Sequence, residues 1–327
     1  MFDQVLRATP GVWDPAEVDV AYRWLRDGTP VPGARERRYR LKLGDIGHRM
    51  SVRVTATAGE GPSAQAVSQP TTKVVRAPLT NKRRPEVVGV QRFTRMVTAT
   101  AGRWSADPSR VRYQWLRAGR PIRGATSSHY RFVPQDVGRS VRVRVTVQAP
   151  GHIRGVATSR RTGPVQHRVD VRRTVHYSVR TRGSIVADVK QFRRQAQQTY
   201  ADPRGWRAKG VRFVPVAKGG SFTLWLAAAA TLPGFSSECS SMWSCRVGRN
   251  VIINQTRWRF ASPAWNAAHR SLRDYRHMVV NHETGHWLGK GHARCPGRGR
   301  LAPVMMQQSK GTQGCRFNPW PTAAELR

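Results

Sequence analysis

The sequence predicts a multidomain chain in which two all-β sandwiches precede a domain of the α/β (α+β) class. Three observations predict it. Sliding the chain against itself gives a match at a constant offset of 91 residues. Short segments inside each copy alternate apolar and polar residues, the period of a half-buried strand. Beyond about residue 173 that period gives way to strands alternating with helical stretches. A length of 327 residues also exceeds what one hydrophobic core usually organises.

The repetition needs no gap. Tyr22-Arg23-Trp24-Leu25-Arg26 returns as Tyr113-Gln114-Trp115-Leu116-Arg117, Gly33-Ala34 as Gly124-Ala125, Tyr39 as Tyr130, and Asp45-Ile46-Gly47 as Asp136-Val137-Gly138. Upstream, Gly11 and Trp13 return as Gly102 and Trp104. Residues 50–56 and 141–147 show the alternation most clearly, and turn residues separate such segments, which argues an antiparallel sandwich with Trp24 and Trp115 as core plugs. The pattern resembles the bacterial Ig-like repeats of secreted and wall-associated proteins, in which a Tyr-x-Trp strand precedes a Gly-Ala turn, a Tyr and an Asp-x-Gly turn. The resemblance spans residues 1–166 and implies one Ig-like repeat at 1–76 and a second at 86–166. The second copy has a first strand near residues 85–101, for which the first would need about ten residues upstream of Met1, so the first repeat is expected to be N-terminally incomplete. Pro- and Arg-containing stretches at 76–85 and 163–173 read as linkers.

Charge bounds the partners rather than the reaction. The 57 Lys and Arg against 18 Asp and Glu give a formal net charge of +39, and 49 of the 57 are Arg. Phosphate contacts of a nucleic-acid binder could use that excess. The Arg is spread over every segment without a continuous basic run, however, and no zinc finger, helix-turn-helix or basic-aromatic platform accompanies it. An anionic surface such as a cell envelope is the simpler partner. The longest apolar run, residues 224–232, falls far short of the roughly 20 residues of a membrane helix. No basic n-region and apolar h-region follow Met1, so no secretory signal is visible. Four cysteines, Cys239, Cys245, Cys295 and Cys315, form no C-x-x-C pair, which favours two disulfides and an oxidising, secreted or cell-surface setting.

In the C-terminal domain, at 173–327, residues 174–181, 211–216, 222–229 and 250–254 read as strands and 186–200 as a helix. Leu272, Tyr275, Val279, His282, Glu283 and His286 fall at helical spacing, so residues 271–288 are expected to form an amphipathic helix. His282 and His286 are four residues apart, about 40° around its axis, so both imidazoles can face one ion. Glu283 is offset from them and can reach a water instead. Gly289 allows the positive φ of a sharp turn, after which His292 returns toward the ion. Three neutral imidazoles leave one position of a tetrahedral Zn²⁺ open, the catalytic rather than the closed structural arrangement.

The run from Asn281 to Gly289, with Cys295-Pro296-Gly297 and Ala302-Pro303-Val304-Met305-Met306-Gln307-Gln308-Ser309, resembles the metzincin metallopeptidases. Within that clan it is similar to an actinobacterial-type secreted domain of long-unassigned function. The resemblance covers residues 173–327 and implies a zinc-dependent endopeptidase with His282, His286 and His292 as ligands, Glu283 as general base, and a methionine turn beneath the ion in which Met305 rather than Met306 is the expected occupant. Gln307 stands where some subfamilies place a Tyr. Cys295 and Cys315 bracket this turn, and a disulfide between them would pin turn and ligand loop together, closing a loop of about 20 residues for roughly 3 kcal/mol; Cys239 and Cys245 would form a local staple. The resemblance also implies a protein or peptide substrate laid along an edge strand, for which Val251, Ile252 and Ile253 are the expected residues. The alternative is a non-catalytic, zinc-containing surface-binding protein, which would be expected to lack a ligand or the base. All five motif positions are present.

Overall fold

The computed structural model describes all 327 residues and divides into two compact units. The first comprises residues 1–91, 96–131 and 139–164; the second comprises 92–95, 132–138 and 165–327. No helix is long and apolar enough to cross a membrane. The chain is mostly β-sheet with few helices.

The 91-residue offset holds strand by strand. β1 (Asp19–Arg26), β2 (Met50–Thr57) and β3 (Ser63–Val67) of the first copy form an antiparallel sheet, extended by Thr29–Pro30 beside β1. β4 (Arg110–Arg117), β5 (Val141–Gln148) and β6 (Gly155–Thr158) form the same sheet in the second copy, extended by Arg120–Pro121. Trp24 pairs with Val52 across the first sheet and Trp115 with Val143 across the second. Each indole donates to a backbone carbonyl 12 residues on, Glu36 at 2.9 Å and Ser127 at 2.8 Å, so neither buried N–H lacks an acceptor. Each also stacks on its tyrosine, Tyr39 or Tyr130, with centroids 5.6 and 5.3 Å apart. The Asp-x-Gly word is a hub in the first copy. Asp45, wholly buried, accepts from Arg26 Nε and Nη2 at 2.9 and 2.6 Å, from Tyr39 Oη at 3.0 Å and from the Lys42 N–H at 2.7 Å.

The C-terminal sheet has five strands. β7 (Arg173–Arg182) lies parallel to β8 (Val211–Pro215) on one side and to β9 (Phe222–Ala227) on the other. β11 (Asn250–Asn254) continues parallel beside β9, and β10 (Cys245–Val247) closes the sheet antiparallel to β11. This corrects the expected substrate-side strand. Val251, Ile252 and Ile253 belong to an interior strand paired on both edges and are fully buried; the edge on that side of the sheet is β10. Their unbroken apolar run is what a strand buried on both faces requires.

Helix α1 (Val189–Ala201) starts three residues later than its apolar pattern suggests, because Asp188 caps it by accepting the Gln191 N–H at 2.9 Å. Two short helices, α2 (Gln255–Phe260) and α3 (Pro263–Ala267), follow β11 and were not evident from periodicity. Helix α4 (Leu272–Trp287) matches the expected span, capped by Ser271, which accepts the Asp274 N–H at 3.0 Å. It packs on the sheet through Tyr275, Met278, Val279 and Val280. Both expected disulfides are formed, Cys239 with Cys245 and Cys295 with Cys315.

Replacing Asp45 by Ala is expected to strip three donors of their acceptor, two of them part-buried, and to cost about 3 kcal/mol. Urea unfolding followed by tryptophan fluorescence measures this, and an unshifted midpoint would contradict the hub.

Candidate metal centre

The three histidines converge. His282 and His286 project from successive turns of α4, and the helix ends where Gly289 takes φ +85°. Gly289 N–H donates to the His286 carbonyl at 3.1 Å and Lys290 N–H to the Gly285 carbonyl at 2.9 Å, a glycine-terminated closure that reverses the chain. His292 thereby returns to the same point. His286 Nε2 lies 3.2 Å from both His282 Nε2 and His292 Nε2.

Second partners decide what those nitrogens offer. His282 Nδ1 lies 2.8 Å from the Val304 carbonyl and His286 Nδ1 2.8 Å from the Lys290 carbonyl. A carbonyl only accepts, so each Nδ1 carries the proton and each neutral ring turns an Nε2 lone pair toward the others. Burial enforces neutrality. It pulls the pKa of His282 down to about 3, against the opposing carbonyl bond and helped by the two neighbouring imidazoles. Burial lowers His286 and His292 as well. Converging lone pairs without a proton between them repel one another, and a shared cation removes that repulsion.

Glu283 faces the same cleft, nearly buried, with no hydrogen bond from the protein to its carboxylate. Burial raises its pKa to about 8, with Arg246 opposing. The cleft holds about 490 Å³. Its floor is α4, one wall is β10 with the Cys239–Cys245 loop, and the other is formed by residues 307–310. Arg246, on the free strand, donates from Nη2 to the His286 carbonyl at 2.8 Å and so ties the edge to the helix end.

Beneath the histidines lies the turn of residues 303–306. Met305 and Met306 are both buried but serve different cores. Met305 packs with Val304 in the main core under α4, whereas Met306 packs with Ala302 against the Cys295–Cys315 disulfide. A side chain at Gly285 would overlap the Met305 sulfur and come within 2.8 Å of Trp206 Cζ2, so the helix can lie on this turn only because that position is glycine. Trp206 is itself fixed by donating to the Asn281 carbonyl at 2.9 Å.

Sequence reasoning overlooked two of these supports. Gly285 is an isolated glycine within a helical pattern, a signal of close packing. Glu325 is the other: its carboxylate accepts the Val304 and Met305 N–H groups at 3.0 and 2.8 Å, and the Thr322 N–H and hydroxyl at 2.7 and 2.8 Å. The word Thr322-Ala323-Ala324-Glu325 has the Thr-x-x-Glu form of a capping box, which could have revealed it.

Two outcomes are expected. Gly285→Ala should displace Met305 and cost about 1–3 kcal/mol of stability, read from the melting temperature. Glu325→Ala should weaken divalent-metal binding roughly 10-fold or more by loosening the carbonyl that orients His282, read by competition with a chelator; unchanged affinity would remove Glu325 from the site.

Among solved structures, the amphioxus IgVJ-C2 molecule is similar over 50% of this chain and 96% of its own, at 12% identity and a TM-score of 0.25. Tandem Ig repeats of Dlar are similar over 46% and 82%, at 13% identity and a TM-score of 0.16. The three N-terminal domains of the bacteriophage RB49 Hoc protein are similar over 55% and 59%, at 16% identity and a TM-score of 0.23. No curated protein matches the sequence. The model of the family described as "Protein of unknown function (DUF3152)" matches residues 145–322, more than half of the chain, and the chain belongs to that family.

Proposed function

We propose that the protein is a zinc-dependent endopeptidase of metzincin type, whose catalytic domain at 173–327 follows two Ig-like repeats at 1–76 and 86–166. The observation that carries this reading is the meeting of three Nε2 lone pairs, two with fixed tautomers, beside a carboxylate that no protein donor engages. The donor set fits zinc. Tetrahedral coordination at about 2.0–2.1 Å places imidazole nitrogens roughly 3.3–3.4 Å apart, close to the 3.2 Å of the two pairs that share His286, while all three ligand nitrogens lie within 4.8 Å of one another. His282, His286 and His292 would hold the ion, leaving its fourth position toward the cleft. The ion would supply Lewis acidity, making water a better nucleophile and a peptide carbonyl a better electrophile at neutral pH.

The rest falls to the chain's own residues. Glu283 faces the cleft with a carboxylate that no protein donor engages, so in its ionised form it can take a proton from the attacking water and return it to the departing amine. An extended peptide would add to the outer edge of β10, gaining main-chain hydrogen bonds that are blind to sequence. The two disulfides suit secretion into an oxidising compartment.

Purified chain loaded with zinc is expected to cleave casein or a peptide library and to lose activity with a chelator. Glu283→Ala should bind zinc equally and fall by about 10²–10⁴ in kcat. Activity surviving in that variant would rule out the mechanism, and full zinc occupancy without cleavage of any peptide would favour the non-catalytic binding protein.

A further inference from the structure

The two repeats share a scaffold but not an outer face. On β4 and β5, odd-numbered positions point into the core and even-numbered ones to the other face, which is open except at its Leu116 end, where Leu116 is buried opposite the half-buried Arg142. The solvent side carries Arg110 and Arg112 on β4, and Arg142 and Arg144 on β5. The register staggers them. Arg112 faces Thr146 and Arg144 faces Gln114, so no two arginines lie directly opposite. The four therefore run as a diagonal stripe, Arg110, Arg112, Arg144, Arg142, advancing about 6.7 Å per step and about 20 Å in all. Arg160, just past β6, and Arg84 join Arg142 at one end, where they line a shallow recess without an acidic residue.

The first repeat shows that the scaffold does not need this charge. At the same offset, Arg110, Arg112 and Arg142 correspond to Asp19, Ala21 and Ser51, and only Arg144 keeps an arginine counterpart, Arg53. The only acids of the second repeat, Glu86, Asp107 and Asp136, lie outside its strands. Four like charges on one sheet face repel one another, a cost that a bound polyanion offsets.

We propose that this stripe binds an extended phosphodiester polymer without bases, of the poly(alditol phosphate) kind. A linear array with one cation per two-residue step matches a chain with a phosphate at each short, flexible repeat. The face offers no aromatic ring for bases, since Tyr113 and Trp115 point the other way, so a single-stranded nucleic acid would gain phosphate contacts but no stacking. The proposal does not depend on the peptidase reading, because binding is measured without turnover.

The test uses the full chain and an end-labelled poly(glycerol phosphate), with binding read by fluorescence anisotropy over a salt series. Arg110→Asp/Arg112→Ala/Arg142→Ser places first-repeat residues on the second repeat. It is expected to weaken binding about tenfold or more at low salt and to lower the slope of log K against log salt by about 2. The reciprocal Asp19→Arg/Ala21→Arg, on exposed positions beside the Arg53 already present, should add a second binding site. An equal loss of charge in Arg298→Asp/Arg300→Ser/Arg316→Ser should leave binding unchanged. Equal loss in that control, no loss in the first variant, or tighter binding of a thymidine oligonucleotide with the same number of phosphates would each overturn the proposal.

Discussion

The candidate site depends on one hydrogen bond, from His282 Nδ1 to the Val304 carbonyl. It joins a rigid helix to a loop, and it turns the other imidazole nitrogen into an acceptor. The carbonyl can serve because the amides around it are held: Glu325 receives the N–H groups of Val304 and Met305, and Met305 fills the hollow left by Gly285. A backbone carbonyl therefore does for this histidine what a carboxylate does in many metal centres, without adding a buried charge.

Much of this is legible in the sequence because it is local. A helix writes its own period, so α4 could be placed within a residue at each end, with Ser271 and Gly289 marking its limits. The three histidines follow from that helix and one turn. The repeat offset carried the strands of both copies, since a substituted repeat keeps its inward-facing residues. Pairings between distant segments are different. Val251 to Ile253 read as a strand but not as an interior one, because nothing in five residues states that the short β10 will cover its flank. Glu325 lies some 20 residues from the amides it holds, and no periodicity links them. Helices α2 and α3 are too short to show a pattern, and their starts are set by Asn254 and Ser262 as caps.

The distribution of charge also has a structural logic. Between Glu283 and Glu325 the chain contains no acidic residue, although this stretch holds His286, His292 and the turn beneath them. A further carboxylate on the loop carrying His292 would favour protonation of the imidazoles and compete for a cation. The first of these two glutamates faces the cleft and the second is engaged by four backbone and hydroxyl donor contacts, so neither offers a stray negative charge to the ligand loop.

Cys245 is both the first residue of the free strand and one half of a disulfide, which fixes where that strand starts. A short edge, anchored at one end and tied to α4 through Arg246, could take a partner only as extended chain. If it takes a peptide as proposed, such a groove would judge a protein by whether a stretch of its backbone can come loose from its own fold. Local unfolding of the target, more than its side-chain sequence, would then determine which proteins the site can engage.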